Sequence, residues 1–336
     1  MLSSELDYQL PEDLIAQSPV GPRDASRLMV VDVRRGAIAH HTFRDLPRFL
    51  LPGDALVLNE TKVFPARVKA NKPTGGEVEL LFLRDMGPDH GGAWDVLARP
   101  SKRLSPGLWL TVGGDRLELV ESLGDGHWAV FAPDVPGMLE RSGRMPLPPY
   151  ISPTPETESR YQTVYARNEG SAAAPTAGFH FTGRVLEDAE RAGARIARIT
   201  LHIGVGTFMS VRTERLEDHS MHSEHYSVPL DAARTVQRAR RVVAAGTTAA
   251  RALETWSASG EAEGESKLFV FPGYRWLSVD TLLTNFHLPR STLLAMVMSF
   301  GGEELVREAY RMAVRERYRF YSFGDAMLLL DGGRRL

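Results

Sequence analysis

Apolar and polar positions alternate over short spans in the first 133 residues. Runs at residues 27–33 and 55–59 predict two strands, which Pro47 and the turn Pro52-Gly53 separate. Glycine turns then divide a region in which short apolar runs recur every 8–15 residues. The recurring apolar runs predict six strands, at residues 66–70, 77–83, 94–99, 108–112, 117–122 and 127–131. Such spacing is typical of a small β-barrel or sandwich.

The pattern changes to alternating helices and strands after a proline-rich passage that starts at residue 145. Thr182 can cap a helix that Gly193 ends. The spacing predicts further helices at residues 231–241, 247–257, 291–300 and 303–318, the first with Arg234, Arg238 and Arg241 on one side. We expect strands at residues 194–203, 242–245, 268–271 and within 320–330, and a polar loop at 259–266.

The order of these regions predicts a discontinuous chain. We expect a mixed α/β domain built from both ends, residues 1–61 and 149–336, with a small β-barrel domain inserted at 62–148. The prolines between residues 145 and 155 cannot donate hydrogen bonds to a β-ladder. We therefore interpret this segment as the linker that leads from the inserted domain back to the α/β domain.

Composition narrows the class of protein. With no cysteine, disulfides, thiolate metal sites and cysteine nucleophiles are excluded. The net charge of −2 means that any contact with nucleic acid must come from a local basic patch. The N-terminus lacks a signal-peptide pattern, and the most apolar run, residues 293–300, is far shorter than the roughly 20 residues that span a bilayer. We expect a cytoplasmic protein without membrane association.

Five of the ten histidines lie between residues 174 and 226, within stretches rich in glycine and threonine. Histidine exchanges protons near neutral pH. His180 and His202 stand among apolar neighbours, so each is either a catalytic group or a buried structural histidine. His219, His222 and His225, with Asp218 and Glu224, admit three interpretations: a metal site, proton transfer or substrate binding, and plain surface polarity.

Glycine and threonine at the ends of strands offer a second kind of candidate. Gly246-Thr247-Thr248 stands where a strand gives way to a helix, a place where free backbone N–H groups bind ligands. Gly204 and Gly206 also follow a strand, although a tight turn explains them equally well. Asn285 and His287 are polar residues in an apolar run, and an asparagine amide suits reading the edge of a base.

Basic residues form two small clusters. Arg99, Lys102 and Arg103 lie in the β-rich region, and Arg23 and Arg27 near the N-terminus. They are candidates for phosphate contacts with RNA, or else solvated charged turns.

Taken together, these segments resemble the S-adenosylmethionine:tRNA ribosyltransferase-isomerases of queuosine biosynthesis. The similar segments run in order along nearly the whole chain, at residues 10–17, 22–28, 100–104, 146–151, 160–166, 174–182, 200–208, 221–224, 272–274, 282–289 and 321–327. The chain departs from the family pattern at residues 59–62, at Phe179 and at Ala249-Ala250. His225 has no expected counterpart, which removes it from the candidate site and weakens the metal interpretation.

The resemblance implies the fold, the reaction and the site. The enzyme would transfer and isomerise the ribosyl part of S-adenosylmethionine onto 7-aminomethyl-7-deazaguanine at the wobble position of tRNA, giving epoxyqueuosine, adenine and methionine. S-adenosylmethionine would be a cosubstrate, with no prosthetic group and no metal, and a monomer is favoured. A metal-dependent hydrolase and a non-catalytic RNA-binding protein are the alternatives.

We expect His180, His202, His222 and Glu224 to be catalytic, because a neutral histidine suits proton removal next to a sulfonium. The cosubstrate pocket would be shaped by Thr176, Gly178, Gly204, Gly206, Thr207, Thr247 and Thr248. The tRNA and its base would contact Asn285, His287, Arg99, Lys102, Arg103, Arg23 and Arg27.

Overall fold

The computed structural model describes residues 1–204 and 211–333, which form two compact units. The first contains the described residues of Met1–Thr61, Pro149–Asn168 and Ala174–Leu336, and the second contains Lys62–Pro148 and Glu169–Ala173. The expected fold class, an α/β domain from both ends of the chain with an inserted β-barrel, is confirmed. The sequence pattern assigns residues 169–173 to the α/β domain, whereas in the structure they belong to the second unit.

Strands and helices follow one another along both units. The strands are β1 (Arg27–Asp32), β2 (Ala37–Thr42), β3 (Asp54–Asn59), β4 (Thr61–Val63), β5 (Arg67–Asn71), β6 (Glu77–Asp85), β7 (Trp94–Arg99), β8 (Trp109–Val112), β9 (Asp115–Gly124), β10 (His127–Phe131), β11 (Asn168–Ser171), β12 (Arg195–Leu201), β13 (Glu224–Ser227), β14 (Arg241–Ala245), β15 (Glu263–Ser266), β16 (Thr281–Asn285) and β17 (Ala326–Leu330). The α-helices are α1 (Val135–Ser142), α2 (Pro155–Arg160), α3 (Gly183–Arg191), α4 (Leu230–Arg238), α5 (Thr247–Ser259), α6 (Thr292–Gly301) and α7 (Glu303–Arg315).

A nine-stranded sheet forms the centre of the first unit, in the order β15-β13-β12-β3-β14-β16-β17-β1-β2. Strands β12, β3, β14 and β16 are mutually parallel, and β17 runs against β16. Every residue of β3, β14 and β16 is buried, as expected for parallel strands covered on both faces. The carboxyl ends of four strands therefore meet at one edge of the sheet.

The second unit contains a closed barrel in the order β10-β7-β6-β5-β8-β9. All six predicted barrel strands are present, and apolar positions alternate along several of them. In β6, for example, Val78, Leu80 and Phe82 are buried while Glu77 is exposed. Strands β4 and β11 pair separately as a two-stranded sheet.

Several predicted elements need correction. Arg241 does not continue helix α4: it begins β14, where its guanidinium forms a buried ion pair with Asp54 at 2.6 Å. The polar segment 259–266 supplies the edge strand β15, since pairing with β13 requires backbone groups and not apolar side chains. Residues 268–271 form no strand, and the Phe269 ring instead contacts the Phe271 ring at a tilt of 42°, with 5.1 Å between centroids. The sequence pattern did not reveal β2 or β16.

Within the described part of the chain, the helices are too short or too polar for any of them to cross a lipid bilayer.

Candidate active site

The edge of the sheet where β12, β3, β14 and β16 end gathers polar residues from distant parts of the sequence. His202 follows β12, Thr61 follows Asn59 of β3, and Gly246 follows β14. Asn285 is the last residue of β16. Crevices at the carboxyl ends of parallel strands are the usual ligand sites of α/β sheets, so a ligand site is expected at this edge.

A cleft opens at this edge, which we call the strand-end cleft. Its space, counted together with the solvent at its open side, is about 340 Å³. Its lining residues are Ala174, Pro175, Thr176, Ala177, Ile203, Gly246, Thr247, Thr248, Thr284, Asn285, His287 and Leu293. The structure thus brings together the predicted cosubstrate residues Thr176, Thr247 and Thr248 with the predicted base-binding residues Asn285 and His287.

Thr247 and Thr248 line the cleft from the first turn of α5. Gly246 precedes the helix with φ +104°, a conformation that favours glycine, and so lets the chain turn from β14 into α5. The Asn59 amide donates to the Thr248 hydroxyl at 3.2 Å and to the Leu201 carbonyl at 3.0 Å. Asn59 therefore fixes the ends of two strands against the start of the helix.

Asn285 and His287 also line the cleft. The Asn285 amide nitrogen donates to the Tyr321 carbonyl at 2.9 Å, and the Asn285 side chain also interacts with His180. The His287 Nε2 lies 2.6 Å from the Thr284 hydroxyl, and burial lowers the pKa of His287 to about 3. This imidazole is therefore neutral at physiological pH.

His180 lies in a second cleft, which we call the arginine cleft. Its lining residues are Pro19, Val20, Arg23, Ser26, Arg160, Phe179, His180, Ser322, Phe323 and Gly324. The His180 Nδ1 lies 2.7 Å from the Ser26 hydroxyl. Burial lowers the pKa of His180 to about 4, partly offset by the charge of Asp325 and by the interaction with the Asn285 side chain, so the ring is neutral.

His202 is half-buried where β12 ends. Its Nδ1 lies 2.8 Å from the Thr61 hydroxyl, and its ring stacks on His225 at 6.0 Å. Burial first, and the neighbouring His225 second, lower the pKa of His202. His202 is thus another neutral imidazole whose orientation one hydrogen bond fixes.

Glu224 and His222, the two remaining predicted catalytic residues, take part in contacts that join neighbouring elements. Glu224 is buried: its Oε2 lies 2.5 Å from Nη1 of buried Arg251, and its Oε1 accepts the Gly204 N–H at 2.9 Å. The His222 side chain is exposed, and its carbonyl accepts from Arg251 at 3.0 Å. These contacts hold β13 and α5 together with the segment that follows β12.

The other predicted residues divide by location. Gly178 faces the Tyr165 hydroxyl, which an added Cβ would meet at 2.2 Å, so packing requires this glycine. Gly206 and Thr207 lie outside the described residues. Arg27 donates to Asp325 at 3.2 Å and lies over the Tyr318 ring at 3.9 Å, so its charge is already paired.

In the barrel, Arg99, Lys102 and Arg103 are exposed to solvent. Arg99 ends β7, and the other two follow in the turn after Pro100.

The histidine cluster that first suggested a metal does not converge. His225 faces Glu263 at 3.3 Å and Glu265 at 3.7 Å, whereas the His219 ring packs edge-on against Phe269. Across residues 1–204 and 211–333, no three His, Asp or Glu side chains are grouped so as to hold a metal ion.

Sequence reasoning missed three residues that orient the predicted ones. Ser26 contacts His180, Thr61 contacts His202, and Asn59 contacts Thr248. For two of them the available signal was the polar sequence Asn59-Glu60-Thr61, in which Asn59 ends a strand with every residue buried and Thr61 begins the next strand.

Comparison with known proteins identifies relatives over the full chain. A family model described as queuosine biosynthesis protein matches residues 3–329. A relative named S-adenosylmethionine:tRNA ribosyltransferase-isomerase, from Rubrobacter xylanophilus, is 69% identical over 100% of both chains. One of the same name from Moorella thermoacetica is 48% identical over 98% of this chain and 100% of its own.

Among solved structures, a crystal structure of S-adenosylmethionine tRNA ribosyltransferase from Thermotoga maritima is 37% identical, with a TM-score of 0.57. The match covers 97% of this chain and 100% of that one.

Proposed function

The chain belongs to the queuosine biosynthesis protein family, and we propose that it acts as an S-adenosylmethionine:tRNA ribosyltransferase-isomerase. The acceptor would be 7-aminomethyl-7-deazaguanine at the wobble position of tRNA. The ribosyl part of S-adenosylmethionine would be transferred and rearranged to epoxyqueuosine, with release of adenine and methionine. A cytoplasmic location fits a tRNA substrate.

The composition of the strand-end cleft is the observation that carries this proposal. It combines the hydroxyls of Thr176, Thr247 and Thr248 with the Asn285 side chain and a neutral His287. Hydroxyls and an amide can bind the ribose and the adenine edge of a nucleoside, while neutral walls do not repel a sulfonium. We therefore place S-adenosylmethionine in this cleft.

The reaction needs one group that removes a proton and one that protonates the departing adenine. The sulfonium acidifies the hydrogens on the adjacent ribose 5′ carbon, so a neutral imidazole can remove one. We assign proton transfer to His180 and His202, because both are neutral and each is oriented by one hydroxyl. Each also adjoins the strand-end cleft: His180 interacts with the Asn285 side chain, and His202 precedes Ile203 in the chain. Both carboxylate oxygens of Glu224 are engaged, so we assign Glu224 to positioning Gly204.

The exposed barrel cations are the proposed contact for the RNA backbone. Arg99, Lys102 and Arg103 carry no ion pair among the described residues and are free to neutralise phosphates. Charge reversal at Lys102 and Arg103 is expected to weaken tRNA binding and to lower its salt dependence. An unchanged affinity would place the RNA elsewhere.

Adenine release is the direct test of the activity. Incubation with S-adenosylmethionine and tRNA bearing the 7-aminomethyl-7-deazaguanine base should release adenine and give a modified tRNA. We expect His180→Ala and His202→Ala to slow the release by roughly 10²–10⁴-fold. His90→Ala, at an exposed barrel position, is the matched control and should retain full activity.

The same assay separates the alternatives. A wild-type protein that binds tRNA but releases no adenine would be an RNA-binding protein. Retention of stoichiometric zinc or iron by the purified protein would favour a metal-dependent hydrolase. Full activity in both histidine variants would reject the proton-transfer assignment alone.

A further inference from the structure

Two arginines in the arginine cleft, Arg23 and Arg160, have no acidic partner among the described residues. Arg23 donates to the Phe179 carbonyl at 3.2 Å and to the Arg160 carbonyl at 3.4 Å. Arg160 donates to the Val20 carbonyl at 2.8 Å. Within the described residues, neither guanidinium has a carboxylate oxygen within 4.0 Å. Carbonyl groups orient these side chains but do not neutralise them.

Two acidic residues that adjoin cleft residues in sequence, Asp24 and Asp325, are already engaged by other arginines. Asp325 accepts from the Arg27 backbone and side chain and from the Arg319 backbone. Asp24 pairs with Arg44 at 3.8 Å. The cleft therefore keeps an uncompensated positive charge, and Arg160 lowers the pKa of Arg23 in addition to the larger effect of burial.

A hydrogen-bond donor of the same cleft is buried without a partner among the described residues. It is the Arg160 Nε, which can only donate. His180, which also lines the cleft, is 4% exposed. A buried donor without a partner is costly, so the Arg160 Nε indicates a ligand that accepts hydrogen bonds.

We infer that the arginine cleft binds a backbone phosphate of the RNA substrate, with Arg23 and Arg160 as its charged donors. The inference rests on the proposed function, which supplies a tRNA. Guanidinium groups are suited to phosphate because they donate two parallel hydrogen bonds to its oxygens. The phosphate would neutralise both arginines and lie beside His180, which the same proposal gives a role in proton transfer.

A nucleic acid fits this cleft better than S-adenosylmethionine does. The described residues that line the arginine cleft and the strand-end cleft are different, so a cosubstrate held by Thr247 and Thr248 leaves the arginine cleft open. S-adenosylmethionine also carries a sulfonium and an ammonium, which two uncompensated guanidiniums would repel. The carboxylate of S-adenosylmethionine is the anion that competes with an RNA phosphate for this cleft, and the experiment below distinguishes the two anions.

The test measures tRNA binding without S-adenosylmethionine, over a range of salt concentrations. Arg23→Gln and Arg160→Gln are each expected to weaken binding roughly tenfold, as for a lost charge-assisted hydrogen bond. Each should reduce the slope of log affinity against log salt by about 1. Arg23→Lys should keep the salt slope but bind more weakly than wild type. Arg48→Gln, at a 74% exposed arginine of the same unit, is the control and should bind as wild type does.

Other outcomes would overturn the inference. Unchanged tRNA affinity with a raised KM for S-adenosylmethionine would show that the cleft binds the cosubstrate carboxylate. If neither the tRNA affinity nor the KM for S-adenosylmethionine changed, the two arginines would have a structural role only. Thermal melting of each variant verifies that it folds, and Arg23→Lys serves where the glutamine variant does not. Because binding is measured without turnover, a wild type that releases no adenine would reject the proposed activity and leave this result standing.

Discussion

Glu224 and Arg251 form an ion pair of 2.5 Å in which both side chains are almost completely buried. The pair joins β13 to α5, and the second Glu224 oxygen holds the Gly204 N–H. Removing one partner leaves a buried charge without compensation, which costs about 3–5 kcal/mol.

We therefore expect Glu224→Ala to lower the free energy of unfolding by about 3–5 kcal/mol. The double variant Glu224→Ala with Arg251→Met should lose less than the sum of the two single variants, since neither charge remains. Urea denaturation measures both. Glu308→Ala on α7 breaks an exposed pair with Arg311 and should cost less than about 1 kcal/mol. Additive losses at Glu224 and Arg251 would contradict the coupling.

Gly178 is expected to be required by packing. An alanine Cβ there would lie 2.2 Å from the Tyr165 hydroxyl and 2.7 Å from a Thr163 methyl. We expect Gly178→Ala to lower the free energy of unfolding by about 1–3 kcal/mol, as for overpacking, and Tyr165→Phe to restore part of the loss. Gly183→Ala, with no atom within 4 Å of its Cβ, is the control and should cost nothing measurable. If the Gly178→Ala variant were as stable as wild type but had a raised KM for S-adenosylmethionine, Gly178 would be assigned to the cosubstrate pocket, as the sequence predicted.

The barrel and most of the sheet were predictable because their strands carry a local pattern. Alternation marks barrel strands such as β5 and β8, and Thr182 accepts a backbone N–H group as the helix cap expected of it. Strand β16 was missed because all of its residues are buried, and a continuous apolar run does not distinguish a strand from a buried helix. Strand β15 was missed for the opposite reason: its sequence is polar throughout.

The candidate site could be predicted by residue type but not by grouping. The sequence marked Thr247, Thr248, Asn285 and His287 separately, and the parallel order β3-β14-β16 brings them into one cleft. Asn59 lies 189 residues from Thr248, and their contact depends on strand order, which no local pattern encodes. The same limit explains why His180 was expected with the threonines, whereas it lines the other cleft.

Stability should fall in mild acid because two histidines are buried in the neutral form. Burial lowers the pKa of His287 to about 3, below the unfolded value of about 6.5, so the unfolded chain binds the extra proton. The contribution of the neutral His287 to the free energy of unfolding is fully present above pH 6.5. It is lost at about 1.4 kcal/mol per pH unit as the pH falls towards the folded pKa.

Between pH 7 and pH 5, wild type should therefore lose about 2 kcal/mol more than His287→Gln does. Urea denaturation at the two pH values measures the difference. His90→Gln, at an exposed barrel position, should lose as much as wild type. If His287→Gln lost as much as well, the imidazole would not be buried in its neutral form.

Thr248 offers the most direct test that the strand-end cleft binds the cosubstrate. Its hydroxyl lines the cleft and accepts from Asn59 at 3.2 Å, and Asn59 keeps its bond to the Leu201 carbonyl when that hydroxyl is removed. Thr248→Val should therefore preserve the wall and remove one hydrogen bond to the ligand. We expect KM for S-adenosylmethionine to rise roughly three- to tenfold with kcat little changed.

The control for this variant lies on the same helix. Thr255→Val removes a hydroxyl that contacts the Arg251 carbonyl and Ser266, away from the cleft, and should leave KM unchanged. Equal KM values for Thr248→Val and wild type would mean that the hydroxyl does not contact S-adenosylmethionine. A fall in kcat at constant KM would instead assign Thr248 to the transition state, because an interaction made only there changes the rate and not the binding of the ground state.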